Sequence, residues 1–381
     1  MAERYIGLIS GTSMDGIDAV LADFEPQPPR VLAQHTAEFT PPVRAELDAL
    51  RRDPTRFPAL RLVRLDAALG DAFAAAALKV MDQAGLRAAD IRAIGSHGQT
   101  VLHDPDQQPP TTQQIGDAHR IAAQTGVLTV ADFRRADLAV GGQGAPLAPL
   151  LHEALLASAT ENRAVINLGG IANLTVLPAA GGVTGFDTGP ANCLLDLWYR
   201  AHHSGRFDAS GAWAACGQAD GQWLDTLLAD EYFARPAPKS TGIEYFSPGW
   251  LGARLPDWAH ERPADVQATL VEVAAQSIAN ALNKLPEDQR PQRLIACGGG
   301  VHNLALMERL QALVHPVRVC SSAEHGLDPD QVEALLFAWL ARERLEGRPV
   351  PTGPVTGARN PILAGALFAG PTVASEPESN G

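Results

Sequence analysis

The sequence predicts an α/β protein built from two similar units, and three observations carry that reading. Apolar strand-like runs alternate with helical stretches along the chain. A strand–turn–strand pattern occurs twice, as YIGLISGTSMDGIDAVL from Tyr5 and RAVINLGGIANLTVL from Arg163, which points to duplication. At 381 residues the chain is longer than one hydrophobic core usually supports, so two domains are expected. They are placed at 1–134 and 135–370, with 371–381 read as a disordered tail.

Taken in order, Tyr5–Ile9 is an apolar strand, Gly11–Gly16 a polar turn and Ile17–Phe24 a second strand. Leucines and alanines at helical spacing fill Pro42–Leu86. Ile91–Gly95 is a short buried strand running into SHGQT, Gly126–Phe133 another strand, and Pro149–Ala157 a helix. After the second hairpin, Gly185–Pro190 ends a strand and Ala191–Tyr199 continues as a helix. Asp265–Leu285 is a long helix with an acidic start and Lys284 near its end, as the helix dipole favours. Arg293–Cys297 is a strand that meets three glycines, followed by the helices Asn303–Val314 and Asp330–Leu345.

Composition excludes several classes of function. With 46% hydrophobic and 19% charged residues the chain is that of an ordinary globular protein. The apolar start is too short for a signal sequence, and no run approaches the ~18 residues of a membrane span. A cytoplasmic protein without a membrane partner is expected. A net charge of −13 argues against nucleic acid. The four cysteines show no CxxC or zinc spacing, so reduced thiols are expected. None of the three lysines (Lys79, Lys239, Lys284) lies in a GxxxxGK[ST] loop, so any bound phosphate must rest on backbone amides, hydroxyls and a metal.

Three loops suit that task. Gly11, Thr12, Ser13, Met14, Asp15 and Gly16 combine glycines that let amides approach an anion, two hydroxyls, and a carboxylate suited to Mg²⁺. A plain hairpin turn fits the same residues equally well. Gly169, Gly170 and Asn173 form the matching second turn. Gly298, Gly299 and Gly300 lie between a strand and a helix N-terminus, where backbone can meet ribose or phosphate. Together they predict an ATP site in a cleft between the two domains.

Asp187 is the expected catalytic base, because carboxylates at strand ends in α/β proteins face ligands. Pro190 fits the first helical position with Gly189 as cap, which leaves Asp187 free. Gln99 and Thr100 are candidates for sugar hydroxyls, whereas His97 and His103 read as structural. In Asp132–Asp137 either Arg134 or Arg135 could hold an acidic substrate group, although a surface ion-pair cluster is the usual fate of such a run. Glu333 fits either the site or the first turn of the last helix.

GLISGTSMDGIDAVL, IGSHGQTVLHDP, INLGGIANLTVL, GFDTGPANCLLD, STGIEYFSPGWL and ACGGGVHN, in this order from about Tyr5 to about Pro361, resemble the anhydro-N-acetylmuramic acid kinase family. The resemblance implies two duplicated actin-like (ribonuclease H-like) domains, ATP with Mg²⁺, a homodimer, and peptidoglycan recycling in the cytoplasm. It places the phosphate loop on Gly11 to Asp18, including Ile17 and Asp18, with Asp15 toward the metal. It places the catalytic carboxylate on Asp187, with Gln99, Arg134 and Glu333 on the sugar side and Glu333 as a second catalytic residue. One departure is Ile243, where similar sequences often carry a basic residue. A 1,6-anhydro sugar has no free 6-hydroxyl, so the implied reaction has Asp187 direct water at C1 while O6 takes the phosphoryl group. The alternatives are a kinase of the same fold acting on a free hydroxyl, and an actin-like or chaperone-like ATPase with a protein partner.

Overall fold

The apolar run Arg4–Ser10 forms strand β1, with six of its seven residues buried, and the tight turn after it returns the chain as β2, Gly16–Asp23. The structure is a computed structural model that describes residues 2–11, 14, 16–256 and 262–370. The tail expected to be disordered lies outside the described residues.

Four more pairings extend the first sheet. Strand β3 (Arg30–Glu38) pairs antiparallel with β2, while β4 (Ala93–Asp104) runs parallel to β1. Strand β5 (Thr111–Ile115) folds back on the far half of β4, and β6 (Thr129–Ala131) lies parallel to its near half. Strand β4 is therefore far longer than the short strand expected at Ile91–Gly95, because β5 supplies hydrogen bonds to the SHGQTVLHD stretch. The helical region breaks into Pro41–Arg52 and Ala59–Ala84 at a Pro-bounded loop. Leu65, Leu69, Phe73, Ala76, Ala77 and Val80 of the longer helix pack on Ile17, Ala19 and Leu21 of β2. Each large apolar side chain so buried contributes about 1.5–3 kcal/mol.

The second sheet repeats the first in its strand order. Strands β7 (Arg163–Leu168), β8 (Ile171–Leu177) and β9 (Thr184–Pro190) form an antiparallel meander, and β10 (Arg293–Cys297) and β11 (Arg318–Ser321) extend it in parallel from β7. The sheet orders β3-β2-β1-β4-β6 and β9-β8-β7-β10-β11 match strand for strand. The α/β class and the duplication expected from the two hairpins are thus present. The helix Pro263–Asn283 buries Val266, Leu270, Val273, Ala274 and Ile278 in the core of this half.

The chain divides into one unit of Met1–Leu147 with Glu333–Gly381 and another of Ala148–Val332. The sequence reading instead starts its second domain at 135 and carries it to 370. The reason is that the chain returns to the first sheet. Strand β12 (Ala366–Phe368) pairs antiparallel with β6. The helix Val332–Leu345 packs so closely on β1 and β4 that a Cβ on Gly7 or Gly95 would overlap the carbonyls of Ala334 and Phe337. Among the described residues no helix is long and apolar enough to cross a membrane, and the four cysteines are free.

Candidate active site

Asp187 stands in β9 opposite Asn173 of β8, just past an irregularity between Ala172 and Asn173. Its carboxylate is held at both oxygens. The Asn173 side-chain amide donates to Oδ1, and the Thr241 backbone N–H donates to Oδ2 at 2.9 Å. The backbone is held as well: Asp187 N–H donates to the Lys239 carbonyl at 2.9 Å, and the Tyr232 hydroxyl donates to the Asp187 carbonyl at 2.8 Å. Burial pushes the carboxyl above its usual range, opposed by the Thr241 and Asn173 hydrogen bonds and the Lys239 charge. Burial is thus the dominant influence on how tightly this carboxylate holds a proton. The helix that follows begins at Asn192 with Ala191 as its cap, not at Pro190 with Gly189, because Pro190 is still in β9. Asp187 is accordingly well clear of the cap.

Asn173, expected on the nucleotide, donates a side-chain N–H to Asp187. Its neighbours in the turn face a helix start: Gly169 O accepts from Asn192 N–H, and Gly170 O accepts from Ala191 and Cys193 N–H. Ile243, the position that departs from the family pattern, lies over Gly170, where its methyl group would be 3.2 Å from an added Cβ. Of the three consecutive glycines, Gly298 and Gly300 abut Asn167 and Leu168 of β7, and Gly298 has φ +82°. Gly299 faces open space. It borders a cavity of about 270 Å³ lined also by Asn192, Phe207, Asp208, Ser210 and Asn303. Phe207 is 59% exposed and Ser210 has a left-handed φ of +58°, so both are presented at the cavity at some local cost.

In the first unit, Thr12, Ser13 and Asp15 lie outside the described residues, so the expected metal ligand and two loop hydroxyls receive no structural account. The described loop residues are firmly anchored. Gly11 O accepts from Met14 N–H at 3.0 Å, Met14 is buried at φ +56°, and Arg44 donates to the Met14 carbonyl at 2.8 Å. Gly16 abuts Ala37 of β3, while Ile17 is buried in the core and Asp18 accepts from the Thr36 hydroxyl at 2.7 Å. Ile17 therefore has no side-chain surface for a nucleotide. Gln99, expected at sugar hydroxyls, is fully enclosed. Ser10 donates to its Oε1 at 2.6 Å, and its amide reaches the Gly11 and Thr100 carbonyls. It braces the start of the loop. The Thr100 hydroxyl accepts from Gln114 at 3.2 Å.

Arg134 is partly buried and donates from Nε to His97 Nε2 at 3.0 Å. His97 in turn donates from Nδ1 to the Gly98 carbonyl at 3.0 Å and packs on Phe337. This network requires a neutral ring, and burial with the Arg134 charge holds His97 well below its usual range. Burial also lowers Arg134 to about 10, while the Glu333 charge raises it. Glu333 is exposed at the start of its helix and acts electrostatically on Arg134. His97 is the structural histidine expected, but it also orients the guanidinium. Lys239, Thr241, Tyr232 and, beside the expected Gly299, the cavity residues Phe207, Asp208 and Ser210 escaped sequence reading, although STGIEYF, which contains Thr241, was visible as a motif.

The family profile for anhydro-N-acetylmuramic acid kinase matches residues 3–370. A relative of that name from Xanthomonas campestris pv. campestris is 52% identical over 367 residues, covering 96% of this chain and 97% of its own. One of the same name from Xylella fastidiosa is 50% identical over 369 residues, covering 96% of each chain. Another from Coxiella burnetii is 46% identical over 371 residues, covering 97% and 98%.

Proposed function

This chain belongs to the anhydro-N-acetylmuramic acid kinase family, and from that premise we propose that it opens 1,6-anhydro-N-acetylmuramic acid with water and transfers the γ-phosphoryl group of ATP to O6. The observation that carries the mechanistic reading is Asp187: one carboxylate, raised in proton affinity and gripped at both oxygens. It takes a proton from water as the water oxygen bonds to C1. The C1–O6 bond breaks, O6 attacks the γ-phosphorus, and ADP leaves. Fixing the base in one orientation supplies much of the advantage of proximity.

The remaining roles follow the chemistry of each residue. Arg134, pre-oriented by His97, would hold the lactyl carboxylate in a charge-assisted contact, with Glu333 as the nearby sugar-side carboxylate. The nucleoside end of ATP would enter the cavity at Gly299, where Phe207 offers a ring face and Asn192 and Asn303 line the wall. When bound, Mg²⁺ would supply positive charge against the phosphates, with the Asp15 carboxylate as the residue that would hold it. The same reading places the enzyme in peptidoglycan recycling in the cytoplasm, as a homodimer.

Mass spectrometry of products from a panel of muramic and glucosamine derivatives with ATP tests the substrate. A 6-phosphorylated N-acetylmuramic acid should form from the anhydro sugar and no product from sugars that lack the bridge. Phosphorylation of free-hydroxyl sugars alone would overturn the reading. Asp187→Asn should still bind ATP but lose phosphoryl transfer.

A further inference from the structure

Asp187 is gripped from two directions that no sequence pattern joins. On one side is Asn173, its cross-strand partner in β8. On the other is a strap from Asp230 to Thr241 that lies along β9. The strap has its own anchor in Asp230, which is 6% exposed. That carboxylate accepts from Tyr232 N–H at 2.8 Å, the Tyr245 hydroxyl at 2.8 Å, Trp250 Nε1 at 2.9 Å and Arg254 at 2.6 Å. Tyr232 then carries the order outward. Its hydroxyl holds the Asp187 carbonyl, and its own carbonyl accepts from Lys239 Nζ at 2.9 Å. The Lys239 ammonium sits 4.4 Å above the Tyr232 ring. From there Lys239 and Thr241 provide the two backbone contacts to Asp187.

We propose that Asn173 and Lys239 are positioning residues for Asp187, Asn173 by fixing one carboxylate oxygen and Lys239 by seating the strap through its contacts with Tyr232. The proposal rests on reading Asp187 as the base. An ionised carboxylate has about four lone-pair sites, and the two donors occupy one on each oxygen. A water can then approach only the sites left over, so the clamp selects the direction from which the proton arrives. Both donors, and the ammonium, favour the charged form over the neutral one. Removing either residue therefore acts in a stated direction: the carboxyl holds its proton to higher pH. The titratable and charged groups acting on this spot are Lys239 and Tyr232 of the strap, with Arg235 and Lys284 acting on Lys239.

The experiment is the pH profile of kcat/KM for the full-length enzyme with the anhydro sugar and ATP, in four variants with melting temperatures recorded. Asn173→Ala removes the donor, and Asn173→Asp replaces it with a second carboxylate of the same shape. The acidic limb should move up by about one pH unit in the first and further in the second, since facing carboxylates cannot both ionise. Turnover should fall roughly tenfold to a hundredfold, with KM for ATP little changed. Lys239→Met should move the limb upward too, and Lys239→Arg should return it toward its original place. A merely structural role would lower activity and melting temperature without moving the limb. Folded variants with an unmoved limb would overturn the proposal, and if Asn173→Asp does not fold, Asn173→Ala and the Lys239 pair decide it. Asp187→Asn separates the two claims: substantial turnover there sinks the reading of Asp187 as base, whereas loss of turnover with unmoved limbs elsewhere sinks the clamp alone.

Discussion

Asp187 illustrates how opposing physical terms set one residue's behaviour. Burial raises its carboxyl, and the surrounding donors pull it back without cancelling that rise. A base must be ionised to act, so the acidic limb of kcat/KM should lie above the ordinary carboxylate range, with activity falling as pH falls through it. A limb at or below the range of an unperturbed aspartate would contradict this. The stability sign is the reverse: ionising a carboxyl whose folded pKa is raised costs stability as pH rises through that value. Arg134 offers a second test at this scale. Arg134→Ala should weaken binding of the muramic sugar by about 1.5–3 kcal/mol while ATP binding holds, as calorimetry would show. An equal loss for an anhydro sugar without the lactyl group would separate Arg134 from the carboxylate. Asp187 was visible in the sequence, but as a strand-end carboxylate, whereas it stands midway along β9, Thr184–Pro190. Its holders were not, since Thr241 acts through its backbone and Tyr232 through a contact 45 residues away in sequence.

Among the elements, those with strong apolar periodicity were legible and those stabilised by partners were not. Strand β3, RVLAQHTAE, has four exposed residues and none buried, so it has little apolar signal of its own. Strand β5, TTQQI, is defined by pairing with β4. The helix Ala118–Thr125 did carry local marks, since Asp117 caps it by accepting from His119 and Arg120 N–H and Gly126 ends it at φ +70°. Reading Gly126 as the start of a strand concealed them. The close packing of Val332–Leu345 yields a further prediction. Gly95→Ala inserts a methyl group where the Phe337 carbonyl already stands and should cost about 1–3 kcal/mol in chemical denaturation. The displacement falls two residues from His97, so sugar affinity should drop along with stability. Unchanged stability would mean that the helix has room to yield.

On the scale of the whole molecule, two sheets of matching order arise from one sequence pattern used twice. The repeated hairpins made the duplication readable, but the return of the C-terminal segment to the first sheet was not, because that pairing spans most of the chain. The two halves have diverged in their chemistry. The first carries the Gly11 turn and the Arg134–His97 pair, while the second carries the clamped Asp187 carboxylate and the Gly299 cavity. Neither half holds a lysine-based phosphate loop. The central claim is that Asp187 directs water at C1 while O6 departs to phosphorus, and isotope labelling tests it most directly. In ¹⁸O-labelled water the label should appear at C1 of the 6-phosphorylated sugar, with none in the transferred phosphoryl group and with inversion at C1 in the first product. Label in the phosphoryl group, or accumulation of free N-acetylmuramic acid before any phosphorylation, would contradict the coupled reaction.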